Sequence, residues 1–231
     1  MANTHIYGFR WHRSLTGAET PQVMTLPIAT GYQPGTINGA GTNVNINIGD
    51  PIRLTEAGTV ELVQTQQSAA GLDSDDFCYG IVLGFPRVVV GGFPRPGSFY
   101  TGATAYSGGI GGDNAPLCAF IPAAGNIFEI DMDAAPTVQT LSGLMANVGA
   151  VASMGYTVLT AGTGQPKANP LLTKSTIAFA SASELQLQIV GIGKRAYTQD
   201  FTAANCTYQV MWQCLQMSIP TAEHAVDGSA S

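Results

Sequence analysis

The stretch FEIDMD, Phe128 to Asp133, holds the best polar constellation in the chain. On a strand, successive side chains alternate between faces. Glu129, Asp131 and Asp133 then share one face, and Phe128, Ile130 and Met132 share the other. Three neighbouring carboxylates repel unless they are solvated, paired or bound to a cation. Two carboxylates about 5–9 Å apart could also serve as a glycosidase acid and base. A solvated or salt-bridged face is the favoured reading, with a cation or interface role next and catalysis last. DSDD, Asp73 to Asp76, lacks the glycine and distal glutamate of a calcium loop and reads as solvated.

Nothing else builds a reactive centre. His5, His12 and His224 lie near the ends, with no second histidine or carboxylate at ligand spacing. Cys78, Cys118, Cys206 and Cys214 form no C-x-x-C pair and are expected to be free, buried thiols. GGIGGDN, Gly108 to Asn114, lacks the lysine and strand–helix frame of a phosphate loop. We therefore expect no enzyme, no cofactor and no metal.

Composition narrows the class. The chain has 231 residues, of which 10% are charged and 45% hydrophobic, with 28 glycines and 13 prolines. A typical globular domain is roughly 25% charged. So little charge suits a surface covered by neighbours, because interface cores are depleted of charge. A neutral β-protein is the bland alternative. The net charge of −6 speaks against direct nucleic-acid binding, which needs a basic footprint. The first residues hold no apolar stretch of the signal-peptide kind. No apolar run approaches the ~20 residues of a membrane helix.

The elements that must position these residues read as short strands. Val44, Ile46 and Ile48 alternate with asparagines. PIRLT and VELVQ flank EAGT, a hairpin turn in which Gly58 can take positive φ. FCYGIVLGF follows as a strand. PLCAFIP and NIFEIDMD form a hairpin across AAG. STIAFA, ELQLQIVGIG and NCTYQVMWQCLQM read as closing strands. In the last, Tyr208, Val210, Trp212 and Cys214 alternate with Gln209, Met211 and Gln213. Leu141, Leu144, Met145 and Val148 have helical spacing, weakened by Gly143 and Gly149. The glycine-laden segment 87–114 reads as a long insertion loop with room for a short hairpin. The fold class is mainly β: a barrel or sandwich core built from hairpins, with at most one or two short helices. Residues 1–35 are expected to form an N-terminal arm and first strand, 36–220 the core domain, and 221–231 a flexible tail.

The order GDPIRL, GTVELV, YGIVLGF, PLCAFIPAAGNIFEID and LQLQIVGIGKRAYTQDF resembles the head-decoration (cement) and related capsid structural proteins of tailed bacteriophages. The resemblance spans about two thirds of the chain, Asn47 to Met217. It implies a virion protein without catalysis, made in the host cytoplasm, that docks on the outer capsid and bridges major capsid subunits, often as a homotrimer. It implies no membrane partner. An N-terminal arm could add a strand to a partner's sheet. Tyr7, Phe9, Arg10, Trp11 and Arg13 are the candidate partner contacts, since arginine and aromatic residues anchor interfaces. An ordinary first strand with solvated arginines is the competing reading. Two rival functions remain open. One is another virion component: a minor capsid, head-fibre or tail protein. The other is a carbohydrate-binding β-protein using Phe99, Tyr100, Tyr106 and Glu129.

Overall fold

Hairpin chemistry is realised at the first tight turn. The Thr55 amide donates to the Thr59 carbonyl at 2.8 Å and the Gly58 amide to Thr55 at 3.0 Å. Gly58 sits at φ +73°, a conformation that glycine adopts without steric cost. This turn joins two of fifteen strands in the computed structural model, which describes residues 8–28, 46–63, 77–90, 93–97, 99–100, 115–160, 166–179, 185–193 and 206–216.

The strands are β1 (Arg10–Ser14), β2 (Met24–Pro27), β3 (Ile46–Asn47), β4 (Pro51–Leu54), β5 (Val60–Leu62), β6 (Gly80–Val90), β7 (Phe93–Gly97), β8 (Phe99–Tyr100), β9 (Leu117–Pro122), β10 (Asn126–Asp131), β11 (Val151–Ala152), β12 (Met154–Thr160), β13 (Pro166–Leu172), β14 (Leu187–Ile192) and β15 (Thr207–Trp212). One short helix, α1 (Leu141–Met145), lies between β10 and β11. No helix among the described residues is long and apolar enough to cross a membrane.

Two antiparallel sheets carry the molecule. The first runs β1-β10-β15-β14-β11. The second runs β2-β9-β6-β4-β5, with β7 paired to the far half of β6. The second sheet curls until its edges meet at one parallel bridge, Ile28 to Val60, so it is not a continuous closed barrel. It buries both faces. Ile81 and Ile121 pack against Phe128, Ile130 and Val210 of the first sheet. Val82, Phe85, Cys118 and Phe120 fill the inside of the curl with Ile28, Ile52 and Leu62. Burial on both faces is why YGIVLGF starts as a continuous apolar run, Tyr79 to Val82, although Leu83 beyond it is exposed. Strand β10 turns Phe128 and Ile130, with Met132 just beyond its end, into the core, which is the apolar half of its alternation.

The insertion from Arg87 opens with the short hairpin that the sequence allowed. Strand β6 continues to Val90 and turns back as β7, then β8 pairs with β3. Residues 101–114 lie outside the described residues. STIAFA is not a strand. Lys174–Thr176 form a 3-10 turn, and Ala178 makes only one bridge, to Val151. Of the expected N-terminal arm and first strand, residues 8–28 are described, and there β1 and β2 each join a sheet. The tail, 221–231, lies outside the described residues.

Candidate functional site

Strand β1 lays its residues along β10, with Arg10 opposite Glu129 and Trp11 opposite Phe128. A register shift between Trp11 and Arg13 makes a bulge at His12. Strand β15 flanks β10 on the other side, with Gln209 opposite Glu129 and Thr207 opposite Asp131. One face of three adjacent strands thereby collects Arg10, His12, Glu129, Asp131, Thr207 and Gln209.

Each carboxylate of FEIDMD has its own partner. The Arg10 guanidinium lies 3.0 Å from Asp131 Oδ1, and the Asp131 side chain is only 2% exposed. The Thr207 hydroxyl donates to the same oxygen at 2.7 Å. Glu129 faces His12 Nδ1 at 3.5 Å, and His12 Nε2 lies 3.0 Å from Gln209 Nε2. This geometry fits the tautomer whose Nδ1–H faces Glu129 while Nε2 accepts from the Gln209 amide. Asp133 turns away and accepts from the Lys174 backbone amide at 3.0 Å. The three acids are thus spread over three separate contacts. Among the described residues, no group of three His, Cys, Asp or Glu side chains is arranged to hold a metal ion.

The predicted partner contacts fall in the same region. Phe9 is 3% exposed and packs on Phe128, edge to face at 6.3 Å, and on Trp212 at 5.3 Å. Burying such a ring stabilises the fold by about 2–3 kcal/mol. Phe9 is therefore part of the core and unavailable to a partner. Arg10 is committed to Asp131. The Trp11 indole donates to Asn126 Oδ1 at 2.9 Å, and Asn126 in turn donates to the Pro122 and Ala124 carbonyls. Among the described members of the predicted set, only Arg13 is exposed. Tyr7 lies outside the described residues, as do His5, His224, Tyr106, Asp73 to Asp76 and Gly108 to Asn114. Phe99 and Tyr100 form β8.

The chain matches no family model, no curated protein and no solved structure. Its function must therefore be argued from its own residues.

The thiols are held away from reaction. All four are buried. Burial pushes the Cys78 thiol well above its ordinary range, and burial followed by the nearby Asp50 charge does the same to Cys118. The thiolate is the nucleophile, so these groups are poor ones. The Tyr208 hydroxyl is also raised by burial. It accepts from Asn147 Nδ2 at 2.8 Å and donates to the Leu144 carbonyl at 3.3 Å.

The surface near α1 is a different matter. Of the four residues with helical spacing, only Leu144 faces inward. Leu141, Met145 and Val148 are exposed, together with Val138, and Phe179 is 69% exposed. The Phe179 ring comes to 3.7 Å from where a β-carbon on Gly149 would stand, which joins it to this strip. No charged residue occurs from Ala134 to Pro166. Sequence reasoning found the helical spacing but expected no outward face. The signal available was the lack of charge around it.

Proposed function

We propose that this chain is a structural component of a virion, a decoration protein that binds the outer surface of a capsid and bridges its major capsid subunits. The observation that carries this reading is the uncharged apolar strip of Val138, Leu141, Met145, Val148 and Phe179. Exposed apolar patches of a few hundred Å² on a soluble chain mark interaction sites. A capsid offers such a surface many times over, and a modest interface repeated by symmetry holds through avidity. The tied-up carboxylates and thiols support a scaffold in preference to a reaction centre. In this reading the capsid contact is the α1 strip, and β1 is the framework behind it.

The test mixes the purified chain with heads of the encoding phage that lack it, then sediments the heads. The chain is expected to pellet with the heads and to raise the temperature at which they rupture. Met145→Asp combined with Phe179→Asp is expected to abolish pelleting while leaving the circular dichroism unchanged. A chain that stays in the supernatant would overturn the proposal.

A further inference from the structure

Strands β12 and β13 form a two-stranded ribbon that is a sheet of its own. Its base is tied down. Met154 and Leu172 are buried, and Met132 bridges to Leu172. The Met154 amide donates to Gln186 Oε1 at 2.9 Å, and the Asp133 amide donates to the Leu172 carbonyl at 3.0 Å. These two bonds fix which way the backbone faces. Along a strand, the N–H and C=O groups alternate in direction every residue. Met154 faces away from β13, so Tyr156, Val158 and Thr160 do too. Leu172 faces away from β12, and so do Pro170, Ala168 and Pro166, their partners in the register.

The two edges differ in chemistry. Pro166 and Pro170 have no N–H, and Lys167 sits between Pro166 and Ala168. Proline and lysine are residues with which natural edge strands resist pairing. The β12 edge, MGYTVLT, has no proline and no charge, and it presents three successive outward amides and carbonyls. Among the described residues, only β13 pairs with it. A two-stranded ribbon is marginally stable in water and gains from another strand.

We infer that the β12 edge is a self-association site, occupied by β12 of a second copy running antiparallel about a two-fold axis at Val158. Two copies with a net charge of −6 repel each other, and the uncharged stretch from Ala134 to Pro166 is where they can approach. Pairing a strand antiparallel with itself is an isologous contact. Val158 meets Val158, and Tyr156 meets Thr160. Each pair exchanges two hydrogen bonds, about six in all. The four-stranded product has a proline-bearing β13 at both outer edges, so association closes at two copies. This departs from the three-fold association that the resemblance implies, and it does not depend on the capsid reading.

The test is sedimentation velocity of the full chain over a wide concentration series. The wild-type chain is expected to reach twice its monomer mass. Val158→Pro removes an amide that points away from β13 and is expected to give a monomer. Ala168→Pro makes the same change on the other edge and is expected to stay dimeric. Val158→Cys supplies a second readout that needs no proline. Paired residues of this kind lie about 5.5 Å apart at Cα, within disulfide reach. Mild oxidation is expected to link two chains through residue 158, while Leu159→Cys does not link them. A monomer at every concentration, a trimer, a dimeric Val158→Pro, or no cross-link at residue 158 would each overturn the inference. A trimer that still binds heads would leave the proposed function standing. A dimer that ignores heads would remove the function alone.

Discussion

Arg10 and Asp131 meet at 3.0 Å across a sequence separation of 121 residues, and the contact pins the edge strand of the first sheet to its neighbour. The acid is buried and the arginine is mostly so. Thr207 adds a bond from the third strand. Removing one partner of a buried pair leaves the other charge uncompensated.

Asp131→Asn should therefore destabilise the protein by about 2 kcal/mol, less than the roughly 3–5 kcal/mol of a fully buried pair, because Arg10 retains some solvent contact. Urea unfolding checks this as a lower midpoint with an unchanged slope. Deleting residues 1–14 should cost more, since Phe9 leaves the core as well. An arm that served only a partner would be dispensable to the fold. A deletion variant with the wild-type midpoint would contradict the placement of β1.

Gly8 and Gly49 set how close β1 comes to the second sheet. The Phe9 amide donates to the Gly49 carbonyl at 2.8 Å, and the Gly49 amide to Val82 at 2.8 Å. A β-carbon on Gly8 would stand 2.5 Å from the Gly49 oxygen, and Gly49 itself has φ +88°. Gly49→Ala should cost about 1–3 kcal/mol through backbone strain. Hydrogen exchange should then quicken at the Phe9 and Gly49 amides before it does in β10.

What the sequence revealed follows from which faces are buried. Strands β10 and β15 showed in their alternation because one face of each enters the core. The neighbours of Asp131 did not show, since an acid on the polar face of a strand looks solvated until Arg10 is brought to it. The β12–β13 ribbon was missed for a related reason. Pro166 and Pro170 argue against a strand unless their missing amides point outward. STIAFA misled because local bonds outcompeted its β propensity. The Thr176 hydroxyl donates to the Thr173 carbonyl at 2.7 Å and accepts from the Ser153 amide at 2.9 Å, folding the segment into a turn.

Gln216 closes a gap between the sheets. Its side-chain oxygen accepts from the Leu54 amide at 2.6 Å, and its Nε2 donates to the Leu54 carbonyl at 2.6 Å, as a neighbouring strand would. The Gln216 amide also donates to Cys78 at 3.1 Å. Gln216→Ala should lower stability by about 1 kcal/mol, since water can replace bonds at this exposed site. Faster exchange of the Leu54 amide, with β10 unchanged, is the local signature to look for.

Tyr208 ties α1, and with it the outward apolar strip, to the core. Its hydroxyl joins Asn147 and the Leu144 carbonyl. Tyr208→Phe keeps the ring and leaves two polar groups short of a partner, at a cost of about 1–2 kcal/mol. Amide exchange over 144–148 should rise more than exchange in β15. If the strip is the capsid contact, this variant should also bind heads more weakly without any change on the contact surface itself.

The buried thiols and Tyr208 predict sensitivity to alkali. Burial raises Cys78, Cys118 and Tyr208 in the folded state, so the folded chain holds these protons more tightly than the unfolded chain. Below the unfolded values both states are protonated and nothing is lost. Above about pH 8.5, where a free thiol titrates, the unfolded chain releases protons first. Stability should then fall by up to about 1.4 kcal/mol per pH unit for each group in its window. Urea midpoints at pH 7, 9 and 10 would trace the decline, and Cys118→Ala should make it shallower. A thiol reagent at pH 8 should label none of the four cysteines until the chain unfolds, because all four are buried. Rapid labelling of Cys78 in the native protein would contradict its burial between the two sheets.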